Sequence, residues 1–75
     1  MRLPGKRVKH TRLVQTERFV VAVEVEQVIP VDDPSEPCYE AETIDFLKDV
    51  HDHAIAGDVT WLKARGKVYQ VVDAA

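Results

Sequence analysis

A small α+β domain is predicted by three features of this 75-residue chain. Residues 19–29 form a β-branched run with period-two alternation, residues 40–56 place apolar side chains at helical spacing, and a second alternating run follows Gly66. Together they give the order β-α-α-β. The expected architecture is an antiparallel or mixed sheet of two to three strands packed against one main helix and one short helix. Residues 1–18 read as a basic N-terminal arm or edge strand, and residues 19–75 as the α+β domain.

The clearest strand is "RFVVAVEVEQVI". Phe19, Val21, Val23 and Val25 fall on one face, and Ala22, Glu24 and Glu26 on the other, which suits a half-buried strand. Val28 and Ile29 break this alternation near Gln27, so the strand is expected to end or bulge before Pro30. Upstream, "HTRLVQT" is also permissive for a strand. The pattern leaves open whether residues 6–16 pair or form a loose arm.

The stretch "PVDDPSEPCYE" has three prolines and no periodicity, which predicts a loop. Within it, Asp33-Pro34-Ser35-Glu36 combines an N-cap residue, a proline at N1 and a glutamate at N3. Pro37 limits that turn to a short one, because proline has no N–H to continue a helix. The main helix is expected to start around residues 40–43 and run to Ala56. Glu40, Glu42 and Asp45 lie near its N-terminal end, where the helix dipole favours acids. Ile44, Leu47, Val50, Ala54 and Ile55 gather on one side; Asp45, Lys48, Asp49 and Asp52 gather on the other. Gly57 is placed to close the helix in a left-handed conformation. Asp58 then caps a second short helix, "VTWLKAR", which Gly66 ends. In "KVYQVV", Val68, Gln70 and Val72 oppose Lys67, Tyr69 and Val71, so apolar groups occupy both faces and the strand is expected to be central or covered on both sides.

A domain this small rarely gains more than ~3–5 kcal/mol from one core, so a supplement is expected. Cys38 is the one cysteine, which excludes an intramolecular disulfide and a cysteine-rich zinc site. Oligomerisation remains. A homodimer is predicted, extending the sheet and finishing the burial of the helix face, with Trp61, Leu62 and Tyr69 as interface candidates.

The net charge of −3 hides an asymmetry. Residues 1–18 hold six cations against Glu17 alone, giving +5; residues 19–75 hold four cations against twelve acids, giving −8. Arg2, Lys6, Arg7, Lys9 and Arg12 could track a nucleic-acid backbone. No aromatic residue is interleaved with them, and the acidic body opposes such binding. The competing readings are an edge strand kept soluble by its charges, and an arm that docks on the acidic face of a neighbouring copy. That acidic face (Asp45, Asp49, Asp52) is expected to be ordinary solvated surface rather than a site for a basic partner.

"KDVHDHAIAGD" places His51 and His53 around Asp52, which invites a metal reading. On a helix, residues two apart sit roughly 200° around the axis from each other, whereas chelation of one ion needs i, i+4 spacing. His51 is expected in the apolar arc and partly buried; His53 is expected at the polar edge, paired with Asp49 one turn earlier. No metal or cofactor is predicted. Glu36 and Glu40 beside Cys38 would raise rather than lower a thiol pKa. Gly5, Gly57 and Gly66 are too dispersed for a phosphate loop. No apolar run approaches the ~18 residues of a membrane span, and "MRLPGKRVKH" lacks the apolar core of a secretory signal. The expectation is therefore a cytoplasmic, non-catalytic protein that acts by protein–protein contact, with a nucleic-acid-binding module as the alternative. Fold alone decides between neither.

Overall fold

The computed structural model describes residues 4–32 and 35–72. Arg2 and the Asp33-Pro34 capping turn lie outside the described residues. The elements are β1 (Gly5–Gln15), β2 (Phe19–Pro30), α1 (Ala41–Ala56), α2 (Val59–Lys63) and β3 (Lys67–Gln70). The class is α+β, with order β-β-α-α-β rather than β-α-α-β. Residues 5–15 of the basic segment supply the additional strand. The sheet has order β1-β2-β3, and both pairings are antiparallel.

β1 and β2 form a long hairpin around Glu17-Arg18. The Thr16 amide donates to the Phe19 carbonyl at 2.8 Å, and the Phe19 amide donates to the Thr16 hydroxyl at 3.3 Å. A threonine side chain thus supplies an acceptor at a turn that has no glycine. Pairing runs without interruption from Gln15↔Val20 to Gly5↔Pro30, so the expected bulge near Gln27 is absent. Pro30 is tolerated because it lies at the strand end, at a position whose N–H would point away from β1.

One face of the sheet holds Val14, Val21, Val23 and Val25, which pack with Val50 and Ala54 of α1 and Leu62 of α2. Val68 of β3 joins that face opposite Val21. Around it, Phe19, Phe46, Leu47 and Trp61 are partly buried. α1 meets the sheet along an arc centred on Val50. At roughly 100° per residue, Thr43, Phe46, Leu47, His53 and Ala54 fall within about 60° of Val50. Ile44 and Ile55 fall roughly 120–140° away on the same wheel, and they remain 55% and 59% exposed. The buried stripe is therefore rotated toward Phe46 relative to the expected one, and the two histidines exchange roles. His51 is exposed, and His53 turns inward to partial burial.

The corner between the helices follows the sequence closely. Gly57 closes α1 at φ 74°, and the Asp58 carboxylate accepts from the Trp61 amide at 3.2 Å. Gly66 is required for a different reason. A Cβ there would lie 2.3 Å from the Ala22 carbonyl oxygen, so only glycine lets the chain turn from α2 into β3. Among the described residues, the helices lie on one sheet face and none lies on the other.

Two substitutions should separate these roles. Gly57→Ala should cost about 1–2 kcal/mol for an L-residue in the left-handed region. Gly66→Ala should destabilise more, because it drives a side chain into backbone. Urea unfolding followed by circular dichroism ranks the two, and a milder effect at Gly66 would show that β3 is not held against Ala22.

Candidate interaction surface

The tripeptide Cys38-Tyr39-Glu40, just before α1, grips the far end of the hairpin with each of its residues. Cys38 bridges the outer edge of β2, accepting from the Val28 amide at 2.8 Å and donating to the Val28 carbonyl at 2.9 Å. Tyr39 reaches β1, its hydroxyl 3.0 Å from His10 Nε2 and its ring stacked on the imidazole. Glu40 is buried and receives both terminal nitrogens of Arg7, one of them at 2.9 Å. Arg7 also lies 3.4 Å from Glu26. This fork-to-fork geometry is the strong form of a charge-assisted hydrogen bond. Val28, opposite Arg7 on one edge and Cys38 on the other, is fully buried.

Hydrogen bonding to Glu40 raises the Arg7 pKa above its already basic ordinary value, outweighing the desolvation that lowers it. A raised basic pKa stabilises the fold below the unfolded-state value and fades only as pH rises through the folded-state one. The Arg7 contribution is therefore constant across the neutral range.

This geometry redistributes the basic cluster. Arg7 is committed inside the chain. Strand alternation puts Lys6 and Arg12 on the same side of β1 as Val14, and Lys9 on the opposite side, directly across from Glu26. The segment predicted to present one cationic run presents a strand whose charges are divided between two faces.

The histidine corner is also engaged. His53 Nδ1 lies 2.8 Å from the Asp49 carbonyl oxygen; since a carbonyl only accepts, Nδ1 carries the proton. The partner is thus the Asp49 backbone and not, as expected, its carboxylate. The His53 ring stacks on Trp61 at 3.7 Å, and the Arg65 guanidinium lies 3.9 Å from the Trp61 ring centroid. Two groups this close cannot share one face of the indole, so Trp61 is held between them. Leu62 is fully buried within its own chain, which removes it as an interface residue. Tyr69, by contrast, is 53% exposed.

Among the described residues, no three His, Cys, Asp or Glu side chains converge as metal ligands. No described helix is long and apolar enough to cross a membrane.

The sheet face without helices is the surface left open. Its side chains follow from register: Leu13 opposite Ala22, Val20 opposite Tyr69, and Ala22 opposite Lys67. Leu13 is 60% exposed, and Val71, just beyond β3, is 45% exposed. Beside them lies a hollow of 450 Å³ whose lining includes Ala22, Glu24, Gly66, Lys67 and Tyr69. Alternation after Gly66 places Tyr69 on a strand expected to be central or covered on both sides; β3 is instead an edge strand with Tyr69 exposed, and Leu13 belongs to a segment whose pairing the sequence leaves open. Comparison with protein-family models, curated proteins and solved structures returns no match.

The grip of Glu40 on β1 is open to a direct test. Glu40→Gln should lower the thermal midpoint, and Arg7→Met in the Glu40→Gln background should cause little further loss, since both act through one contact. Additive losses in this cycle would show that the two side chains are not coupled.

Proposed function

We propose that this chain is a non-catalytic module acting by protein–protein contact, and that its partner at the open sheet face is a second copy of itself. The observation that carries this reading is the apolar patch of Leu13, Val20, Ala22, Tyr69 and Val71 on a face no helix covers. A two-fold interface must be self-complementary. This face supports that condition, since exposed Leu13 and Tyr69 stand beside a hollow whose lining includes Gly66. Its rim carries both signs of charge, Lys67 and Glu24, as a surface that meets itself needs. A stable dimer buries about 800 Å² per subunit, about one seventh of the 5569 Å² surface of this chain. The small core favours the same outcome, because joining two sheets adds a layer over the face that the helices leave uncovered.

Nucleic-acid binding has less support. With Arg7 engaged by Glu40, it rests on Lys6, Lys9 and Arg12, which alternate between two sides of β1. A cationic footprint normally lies on one face.

Sedimentation at micromolar concentration should show a dimer. Leu13→Glu and Tyr69→Lys should each yield a monomer with an unchanged circular dichroism spectrum. A wild-type monomer of full stability would remove the homodimer. Salt-dependent mobility shifts of duplex DNA, abolished by Lys6→Ala, Lys9→Ala and Arg12→Ala together, would favour the nucleic-acid reading instead.

A further inference from the structure

The outer edge of β2 is paired at both ends and open in the middle. The bond from Thr16 to the Phe19 carbonyl sets odd-numbered residues of β2 toward β1. Independently, the bonds between Val71 and Arg18, and between Cys38 and Val28, set even-numbered residues toward the opposite edge. On that edge β3 pairs with Val20 and Ala22, and Cys38 pairs with Val28. Glu24 and Glu26 remain. Each directs one N–H and one C=O outward, with no backbone partner among the described residues. The paired residues Ala22 and Val28 lie about 20 Å apart at ~3.4 Å per residue, and Gly66 and Tyr39, adjoining the two pairing residues, narrow the opening to Glu24–Glu26. Beside it lies a hollow of 370 Å³ lined by Lys9, Glu24, Val25 and Glu26.

We propose that this opening is a strand-addition slot for a short extended peptide of basic–apolar–basic pattern. Unpaired strand edges are the template for such pairing, and the backbone bonds supply affinity while alternate side chains supply selection. Residues opposite Glu24 and Glu26 present their side chains on the same face as the two carboxylates. Glu24 is exposed and forms no ion pair among the described residues. Glu26 is approached by Arg7 at one oxygen. Lysine or arginine suits both positions. The residue between them lies opposite Val25 and points toward the helix-covered face, where an apolar side chain suits it.

β2 already accepts this pattern on its other edge. There Arg7-Val8-Lys9 runs beside Val28-Gln27-Glu26, with Arg7 reaching Glu26. The β1 strand of a second copy does not fit the slot. Its 11 residues exceed the opening, and β3 and Cys38 stand at the two ends. Glu24 also stands on the rim of the Leu13–Tyr69 patch, so the slot is tested in the Tyr69→Lys chain, in which that patch cannot pair.

The test is an amide chemical-shift titration of the isotopically labelled Tyr69→Lys chain with acetyl-Lys-Val-Lys-amide. The Glu24 and Glu26 amides should move, and those of Val23 and Val25 should move less. The same peptide N-methylated at both lysines keeps its charge but loses the donors that face β2, so it should not bind. Glu24→Lys should weaken binding by at least about tenfold through like-charge contact, with the spectrum elsewhere preserved to report folding. The slot is overturned by equal binding of the N-methylated peptide, which would mean charge attraction alone. It is equally overturned by no response of the Glu24 and Glu26 amides at millimolar peptide, or by a Glu26 amide that shifts with protein concentration alone in the Tyr69→Lys chain, placing a second copy there.

Discussion

The Arg7–Glu40 pair, with its neighbours Cys38 and Tyr39, is the constraint on which the rest of the architecture depends. A two-stranded hairpin in water is marginal, and the far half of β1 and β2 extends well past β3, which pairs only with residues 19–22. Burying Glu40 without a cation would leave an uncompensated charge at the entrance to α1. Arg7 meets that need and at the same time fixes the start of α1 against the strand farthest from β3. Through the Val28 bridge, the same loop also occupies one end of the outer edge of β2. The helix entry, the hairpin and the sheet edge are thereby set together.

The basic N-terminal segment acquires an architectural explanation from this arrangement. Its cations alternate along a paired edge strand rather than forming a free arm, and the most buried of their contacts is internal. Charges on a long edge strand also discourage open-ended pairing with other chains. Exposed apolar side chains remain on the sheet face, where two layers stop short of three, as well as at Ile44 and Ile55 of α1. Glu24 and Glu26 border that face, on a stretch of β2 that pairs with β1 but that neither β3 nor Cys38 reaches.

Much of the body was legible because its signals are local. Gly57 and Asp58 carry capping chemistry within a few residues of their effects, and the alternation of Phe19, Val21, Val23 and Val25 names the core face directly. The hairpin was not legible from its turn. Thr16-Glu17-Arg18-Phe19 lacks the glycine or asparagine that two-residue turns favour, and a threonine hydroxyl compensates locally. The apparent break at Val28 misled for a related reason. Val28 is buried on the side opposite the main core, where Arg7 and Cys38 flank it, so an apolar residue there needs no bulge. The two histidines were misassigned because Phe46, omitted from the expected apolar side, and the stacking of His53 on Trp61 both draw the helix face round. Tyr69 lies on a strand legible from alternation, whereas the burial of Leu62 depends on how α2 sits on the sheet. Contacts such as Arg7 with Glu40, 33 residues apart, carry no spacing rule to read.

Hydrogen exchange along β1 in the wild-type chain tests this central constraint most directly. Register directs the amides of Val8, His10, Arg12 and Val14 toward β2 and those of Arg7, Lys9 and Thr11 outward. A clamped edge strand predicts alternating protection that persists to Val8, at the end held by Glu40 and Tyr39. Uniformly fast exchange over residues 6–12 would contradict it, and would restore the basic segment as a free arm.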